Sequence, residues 1–280
     1  GYQLTYLLRV LVKEVLRIQQ IMSRSFGVTF LSVLLCLSVS CSKNTKSDAL
    51  ANDNTVYVNP FIGTGGHGHT FPGAVIPNGM VQLSPDTRTA GWDACGGYHY
   101  TDTSIRGFSH THLSGTGIGD LGDFLFMPFT GEAKIEPGTP ENPASGYRSR
   151  FSHEYETAIP GYYSVDLLDY KIKAELTAST RVGFHRYNFS NQDERGLIID
   201  LDHNIHDKNV VSSEFKVISN TEISGYKHIN GWAQNRHIYF YAKFDQPFTL
   251  KLYKETIEQI DVSELKGKDL VAVLNFDKAD

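Results

Sequence analysis

The sequence predicts an all-β protein built as a large antiparallel β-sandwich. Three observations carry that expectation. The chain holds 15 Tyr and 16 Phe against 3 Met, and aromatic residues suit pleated, half-buried surfaces. Lys171–Ala178 alternates strictly: Ile172, Ala174, Leu176 and Ala178 share one face, while Lys171, Lys173, Glu175 and Thr177 share the other, the period-two pattern of a strand with one wet side. Further short apolar runs follow at regular turn signals, with almost no helical periodicity.

Taken in order, the chain opens with a segment that does not belong to this fold. Residues 1–21 mix Leu and Val with Arg9, Lys13, Glu14 and Arg17 and read as sequence upstream of a start at Met22. Phe26–Val39 is an apolar run behind Arg24, followed by Ser40 and Cys41. A basic flank, a short apolar stretch and small residues before a cut describe an export signal, and the run is shorter than the ~20 residues a membrane-spanning helix needs. Cys41 sits where a bacterial lipoprotein is cleaved and lipidated, although Ser38 replaces the usual Leu; a plain secretory signal is the alternative. Ser42–Asn54 is polar and aperiodic, a tether. The expected organisation is thus 1–40 upstream segment and lipoprotein signal, 41–54 tether, and 55–280 sandwich. Of three cysteines, only Cys95 then remains in the folded part, so no intramolecular disulfide forms.

Strands are expected at 162–168, 171–178, 182–189, 196–202, 214–218, 222–226, 238–244, 249–253 and 271–276. Ser179-Thr180-Arg181 and Ser219-Asn220-Thr221 read as hairpin connections. Gly196–Asp202 is nearly continuous in apolar residues and reads as a more buried strand. The final run, Val271–Phe276, is expected to lack a closing partner, as in a fragment. The 280 residues are 40% hydrophobic and carry a formal net charge of −5. That mild acidity excludes a nucleic-acid binder, which shows a basic patch or stripe.

Residues 59–131 are different in kind, dense in Gly and holding two His-x-His pairs. The informative stretches are Asn59–Ala74 (NPFIGTGGHGHTFPGA), Met80–Arg88, Gly91–Tyr100 (GWDACGGYHY) and Gly107–Gly117 (GFSHTHLSGTG). Such loops permit close approaches that side chains forbid, and loops of that cost usually serve a ligand site or an interdomain seam. Four readings of His67, His69, His110 and His112 compete. In extended chain each pair could chelate a transition metal, cupin-like, but Thr70-Phe71-Pro72-Gly73 supplies no carboxylate. They could hydrogen-bond sugar or a facing domain, pack one loop on another as satisfied polar residues, or act as acid–base groups without a visible partner. Gly63-Thr64-Gly65-Gly66 lacks the Lys and the strand–turn–helix context of a phosphate loop. Trp92 with Asp93 is the most site-like pair, since an indole stacks on a pyranose face and a carboxylate binds vicinal hydroxyls; a core Trp beside a turn Asp is the alternative. Asp120 and Asp123 fit no EF-hand spacing and read as turn formers.

These same blocks resemble glycoside hydrolase family 92, exo-acting, calcium-dependent α-mannosidases. The resemblance runs from about Thr55 to Asp280 and is strongest through residue 131. It implies a supersandwich of the galactose-mutarotase-like kind, truncated here before an (α/α)6 barrel, with the active site between the two. It also implies hydrolysis of terminal α-linked mannose with inversion, one carboxyl as acid and another as base. Acid, base and most Ca2+ contacts are expected from the barrel, so no residue of this chain is assigned a catalytic or metal role. The residues expected to bind substrate or line the seam are Gly65, Gly66, His67, His69, Arg88, Trp92, Asp93, Tyr98, His110 and His112, and Cys41 is the expected lipid site. The partners implied are mannose-containing glycans, the chain's own barrel, and a membrane through the lipid alone. A non-catalytic carbohydrate-binding sandwich and a cupin-like metal protein are the competing functions. The binding module is expected to carry an aromatic platform on a strand face, whereas the aromatics and histidines of the distinctive blocks fall in loops.

Overall fold

The computed structural model describes residues 53–190 and 194–276. The expected signal, Cys41 and nearly all of the tether lie outside the described residues. In chain order the strands are β1 (Ser84–Asp86), β2 (Ser104–Ile105), β3 (Gly107–Ser109), β4 (Leu125–Thr130), β5 (Ser149–Arg150), β6 (Glu156–Ile159), β7 (Tyr162–Leu167), β8 (Ile172–Ala178) and β9 (Gly183–Phe189). They continue as β10 (Arg195–Asp200), β11 (Asn209–Ser219), β12 (Glu222–Asn230), β13 (Arg236–Lys243), β14 (Phe248–Lys254), β15 (Ile257–Gln259), β16 (Glu264–Gly267) and β17 (Leu270–Phe276). Pairing is antiparallel throughout the named ladders. Among the described residues no helix is long and apolar enough to cross a membrane.

A seven-stranded sheet in the order β1-β3-β4-β10-β17-β14-β15 forms the middle layer, with four-stranded sheets β6-β7-β8-β9 and β13-β12-β11-β16 beside it. Successive residues of a strand point to opposite faces, and β10 shows what that does here. Ile198 joins one buried cluster, with Val165, Leu176 and Phe108, while Leu197 and Ile199 join the other, with Phe215 and Ile223. The middle sheet is therefore covered on both faces, which is why 197–199 reads as an unbroken apolar run rather than an alternating one. The outer sheets keep one wet face and alternate: Ile172, Ala174 and Leu176 of β8 are buried and Lys173 and Thr177 exposed.

Both hairpins expected from the turns form, as β8·β9 and β11·β12. Two expectations are corrected. The run Val271–Phe276 does not lack a partner: β17 lies between β10 and β14 and pairs with each along its length. The glycine-dense segment is not purely loop, because it contributes β1, β3 and β4 to the middle sheet. β4 holds Pro128, which usually argues against an inner strand. It is accommodated because β4 pairs with β10 over Leu125–Thr130 but with β3 only at Phe126, so Pro128 lies past the β3 ladder.

Candidate functional site

The site is built on the 63–70 and 91–97 loops. Gly68 is needed where it is: a Cβ there would lie 2.0 Å from the Gly63 carbonyl oxygen. Gly68→Ala is expected to lower stability by about 1–3 kcal/mol, the usual cost of overpacking, read as an earlier denaturant midpoint; an unmoved midpoint would mean the loop is not closed this tightly. Gly66 turns with φ 59 and its carbonyl accepts from His99 Nε2 at 3.0 Å. Gly65 rests against Tyr100, whose backbone N–H donates to the Thr64 carbonyl at 2.8 Å.

This arrangement brings the His67–His69 loop to Trp92 and Asp93, which lie in one 3-10 turn. His67 Nδ1 donates to Asp93 Oδ1 at 3.0 Å, and that bond holds the Asp93 carboxyl below the usual carboxylate range. His69 meets the Trp92 ring edge-on at 5.2 Å between centroids. Its Nε2 is 3.6 Å from Asp93 Oδ1 and is buried without a hydrogen-bond partner among the described residues. The indole of Trp92 rests on Gly117, where a Cβ would come within 2.5 Å of the ring, yet 62% of the residue is exposed. A large, flat ring held from behind and open in front is a stacking platform. Arg88 stands nearby with its charge already committed: both carboxylate oxygens of Asp102 accept from it, and Thr87 Oγ1 donates to the same Asp102 at 2.7 Å.

Three expected site residues are placed behind this surface. Tyr98 is 1% exposed and donates to Glu156, which also accepts from Tyr163 at 2.6 Å. His112 is buried and faces acceptors with both ring nitrogens, the Gln82 carbonyl at 2.7 Å and Asp86 Oδ1 at 2.7 Å. Asp86 also accepts from His203 Nε2 at 2.7 Å. Burial alone would raise the Asp86 carboxyl, but His112 and His203 outweigh it and hold it far below its ordinary value. His110 Nδ1 donates to the Phe124 carbonyl at 2.7 Å, so its Nε2 must accept, and it does so from His185 Nε2 at 3.0 Å. His185 Nδ1 in turn accepts from the Tyr187 hydroxyl at 2.7 Å. The chain of bonds is complete with both imidazoles neutral. Burial pushes His110 down to about 4 and His185 well below its usual value.

A second buried network lies under the 115–123 loop, and sequence reasoning missed its cations. Lys227, 0% exposed, donates to Asp123 Oδ1 at 2.7 Å and to the His203 carbonyl at 2.7 Å. Arg236 lies 3.3 Å from Asp120 Oδ1 and 3.5 Å from Asp123 Oδ1. One signal for Lys227 was available: it shares the parity of Ile223 and Ile229, the buried face of β12.

The implied Ca2+ can be tested against these donors, and they do not fit it. Among the described residues no three His, Cys, Asp or Glu side chains converge as a metal site. The carboxylates near the loops are each engaged: Asp86 by two imidazoles, Asp93 by His67, Asp102 by Arg88, Asp120 and Asp123 by Lys227 and Arg236.

Comparison with known proteins agrees with this fold. Residues 57–280 match the model of the glycosyl hydrolase family 92 N-terminal domain. The fold is similar to that of a family GH92 α-mannosidase from Bacteroides thetaiotaomicron solved with mannoimidazole, at 46% identity and a TM-score of 0.77, covering 80% of this chain and 30% of that one. A GH92 inverting mannosidase from the same organism is similar at 28% identity and a TM-score of 0.66, over 80% of this chain and 29% of that one. An uncharacterized secreted glycosidase from Arthroderma benhamiae is 30% identical over 161 residues, covering 52% of this chain and 19% of its own. The chain thus spans under a third of the length of these relatives. With its antiparallel sandwich and the match running unbroken from residue 57 to 280, the chain belongs to glycosyl hydrolase family 92 as an N-terminal domain.

Proposed function

We propose that this chain is the sandwich part of an exported exo-α-mannosidase that removes terminal α-linked mannose from glycans with inversion. The observation that carries the reading is Trp92: an exposed indole backed by Gly117 and flanked by the His67–Asp93 pair. Such a platform suits the apolar face of a pyranose, with Asp93 and the unpartnered His69 Nε2 beside it for hydroxyls. Similarity to the mannoimidazole-bound α-mannosidase and to the inverting mannosidase supports the substrate and the stereochemical course.

In this reading the chain's residues bind and orient. Protonation of the leaving oxygen and activation of water belong to carboxyl groups of a barrel domain following the sandwich. Calcium bound there would supply charge for gathering sugar hydroxyls. The loops at 65–69 and 91–97, with Ile62, Trp92 and Ile118 exposed, then form one wall of the pocket, most directly around the leaving-group sugar. Export is supported by the apolar run at 26–39 and by the secreted relative, with Cys41 carrying the lipid that ties the protein to the outer membrane.

The test is Trp92→Ala in a product that continues through the barrel. We expect kcat/KM on α-mannobiose to fall about tenfold, the scale of one lost aromatic contact, while the isolated 280-residue chain releases no mannose. An unchanged kcat/KM removes Trp92 from the site, and turnover by the isolated chain would falsify the placement of acid and base.

A further inference from the structure

The wet face of the β13-β12-β11-β16 sheet is divided in two. On the β11 and β16 side it carries ions, and each is paired: Glu214 with Lys266 at 3.4 Å and Lys216 with Glu264 at 3.1 Å. On the β12 and β13 side it carries rings, in successive rows of the register: His228 opposite His237, Tyr226 opposite Tyr239, and Ser224 opposite Tyr241. His228 and His237 stack at 4.3 Å between centroids with 15° between planes. Tyr226 and Tyr239 lie 4.8 Å apart. The Tyr226 hydroxyl donates to His237 Nδ1 at 2.7 Å and His237 Nε2 donates to Asn235 Oδ1 at 3.2 Å, which fixes that ring's orientation. Tyr239 is 72% and Tyr241 60% exposed. The remaining charges, Glu222 and Lys243, pair at 3.3 Å.

We infer that this face is a second, non-catalytic glycan-binding surface, taking a neutral chain of pyranose rings. Exposed rings held by their neighbours lose little freedom on binding, and that is the usual route to affinity from a preformed surface. Each ring offers an apolar face with polar atoms at its rim, the pattern that matches a sugar's C–H face edged by hydroxyls. The charges decide what kind of chain binds: all six charged side chains presented here are already paired, so nothing is left to attract an anionic polymer. The surface involves none of the loop residues around Trp92 and stands whether or not those loops bind mannose.

The experiment is affinity electrophoresis of the 280-residue chain through native gels containing soluble α-mannan or, in a second arm, a neutral β-glucan. Retardation is expected in at least one arm, identifying which glycan is taken. Tyr239→Ala/Tyr241→Ala should weaken it by roughly tenfold or more, the scale of two lost ring contacts. Tyr239→Phe/Tyr241→Phe, which keeps the rings, should retain it. No retardation in either arm overturns the proposal, as does retardation lost with Trp92→Ala but kept in the double alanine variant. Two further results also overturn it: a dimer in sedimentation that the double alanine variant dissociates, since β13 is an edge strand open to a second copy, or loss of retardation in a product extending through the barrel.

Discussion

Lys227→Met is expected to lower the free energy of unfolding by about 3–5 kcal/mol at pH 7, the cost of stripping one partner from a buried ion pair. The ammonium group has no route to water: Lys227 is 0% exposed, bonded to Asp123 and the His203 carbonyl, and lies 5.3 Å from the Phe124 ring centroid. Burial alone would raise the Asp123 carboxyl, but Lys227 first and then Arg236 hold it below the ordinary range. Without Lys227 that carboxylate keeps the Thr111 hydroxyl at 2.7 Å and Arg236 at 3.5 Å. The pH dependence gives a second check. In the wild type the depressed carboxyl contributes stability above its unfolded pKa that is lost as pH falls through the folded value. In the variant that contribution shrinks, because only Arg236 and Thr111 remain to offset the upward push of burial on the carboxyl. The gap between the two proteins should be widest at neutral pH and narrow below about pH 4. A loss under about 1 kcal/mol, the worth of a surface pair, would show that the pair is hydrated.

The second large effect is acid destabilisation between pH 6.5 and 4, before most carboxylates titrate. His110 and His185 share one hydrogen bond between their Nε2 atoms in a buried setting, so a charge on either is costly. A histidine whose folded pKa is depressed leaves stability intact above its unfolded value and loses it as pH falls, because the unfolded chain takes the proton first. For His110, pushed down to about 4 from 6.5, that loss is of order 3 kcal/mol. Asp202 works the other way: burial, then its Asp200 neighbour, push it up to about 6, so the folded state gains its proton first and recovers a similar amount. The two nearly cancel. His185, held well below its usual value, and His203, lowered by burial and by Arg106, then set the net sign, a loss of stability on acidification. Urea unfolding at pH 7, 5.5 and 4.5 should show it. His185→Phe, in a site already stacked against Phe126, should flatten the slope; an equally steep slope in that variant would put the acid sensitivity elsewhere.

Much of the fold was legible because strands carry their own period. From 162 to 276 the expected segments fall on β7 to β14 and β17, and the two hairpin turns join the strands they separate. What the sequence did not disclose is which sheet a strand enters. The runs flanking Asp245-Gln246-Pro247 are adjacent in the chain, yet β13 pairs with β12 while β14 pairs with β17. Alternation reports that a face is buried and says nothing of what buries it. β4 was hidden by Pro128, tolerated only because its neighbour ends early.

The site was legible where its residues are neighbours in sequence. Trp92 and Asp93 stand together, and the Gly-His loop that meets them was identified by its glycines. Its supports were not, because their partners come from far along the chain. Asp86 bonds His203, and Asp102 bonds Arg88, with nothing local to mark either. Tyr98, His110 and His112 are typical sugar-site residue types, but the structure gives their polar atoms to Glu156, His185 and Asp86. The tyrosines of β13 show the reverse case, since their exposed parity could be read only once β12 gave the strand a wet side.

The strand order of the middle sheet bears on how the protein is made. β10 is flanked by β4, some seventy residues earlier, and by β17, some seventy later, so its second ladder closes only once β17 has been made. Pairings this distant slow the search for the native topology. During synthesis the apolar runs of β4 and β10 remain incompletely covered until β17 has been made. Until the sheet is finished those runs are exposed hydrophobic surface of the kind that holding chaperones cover.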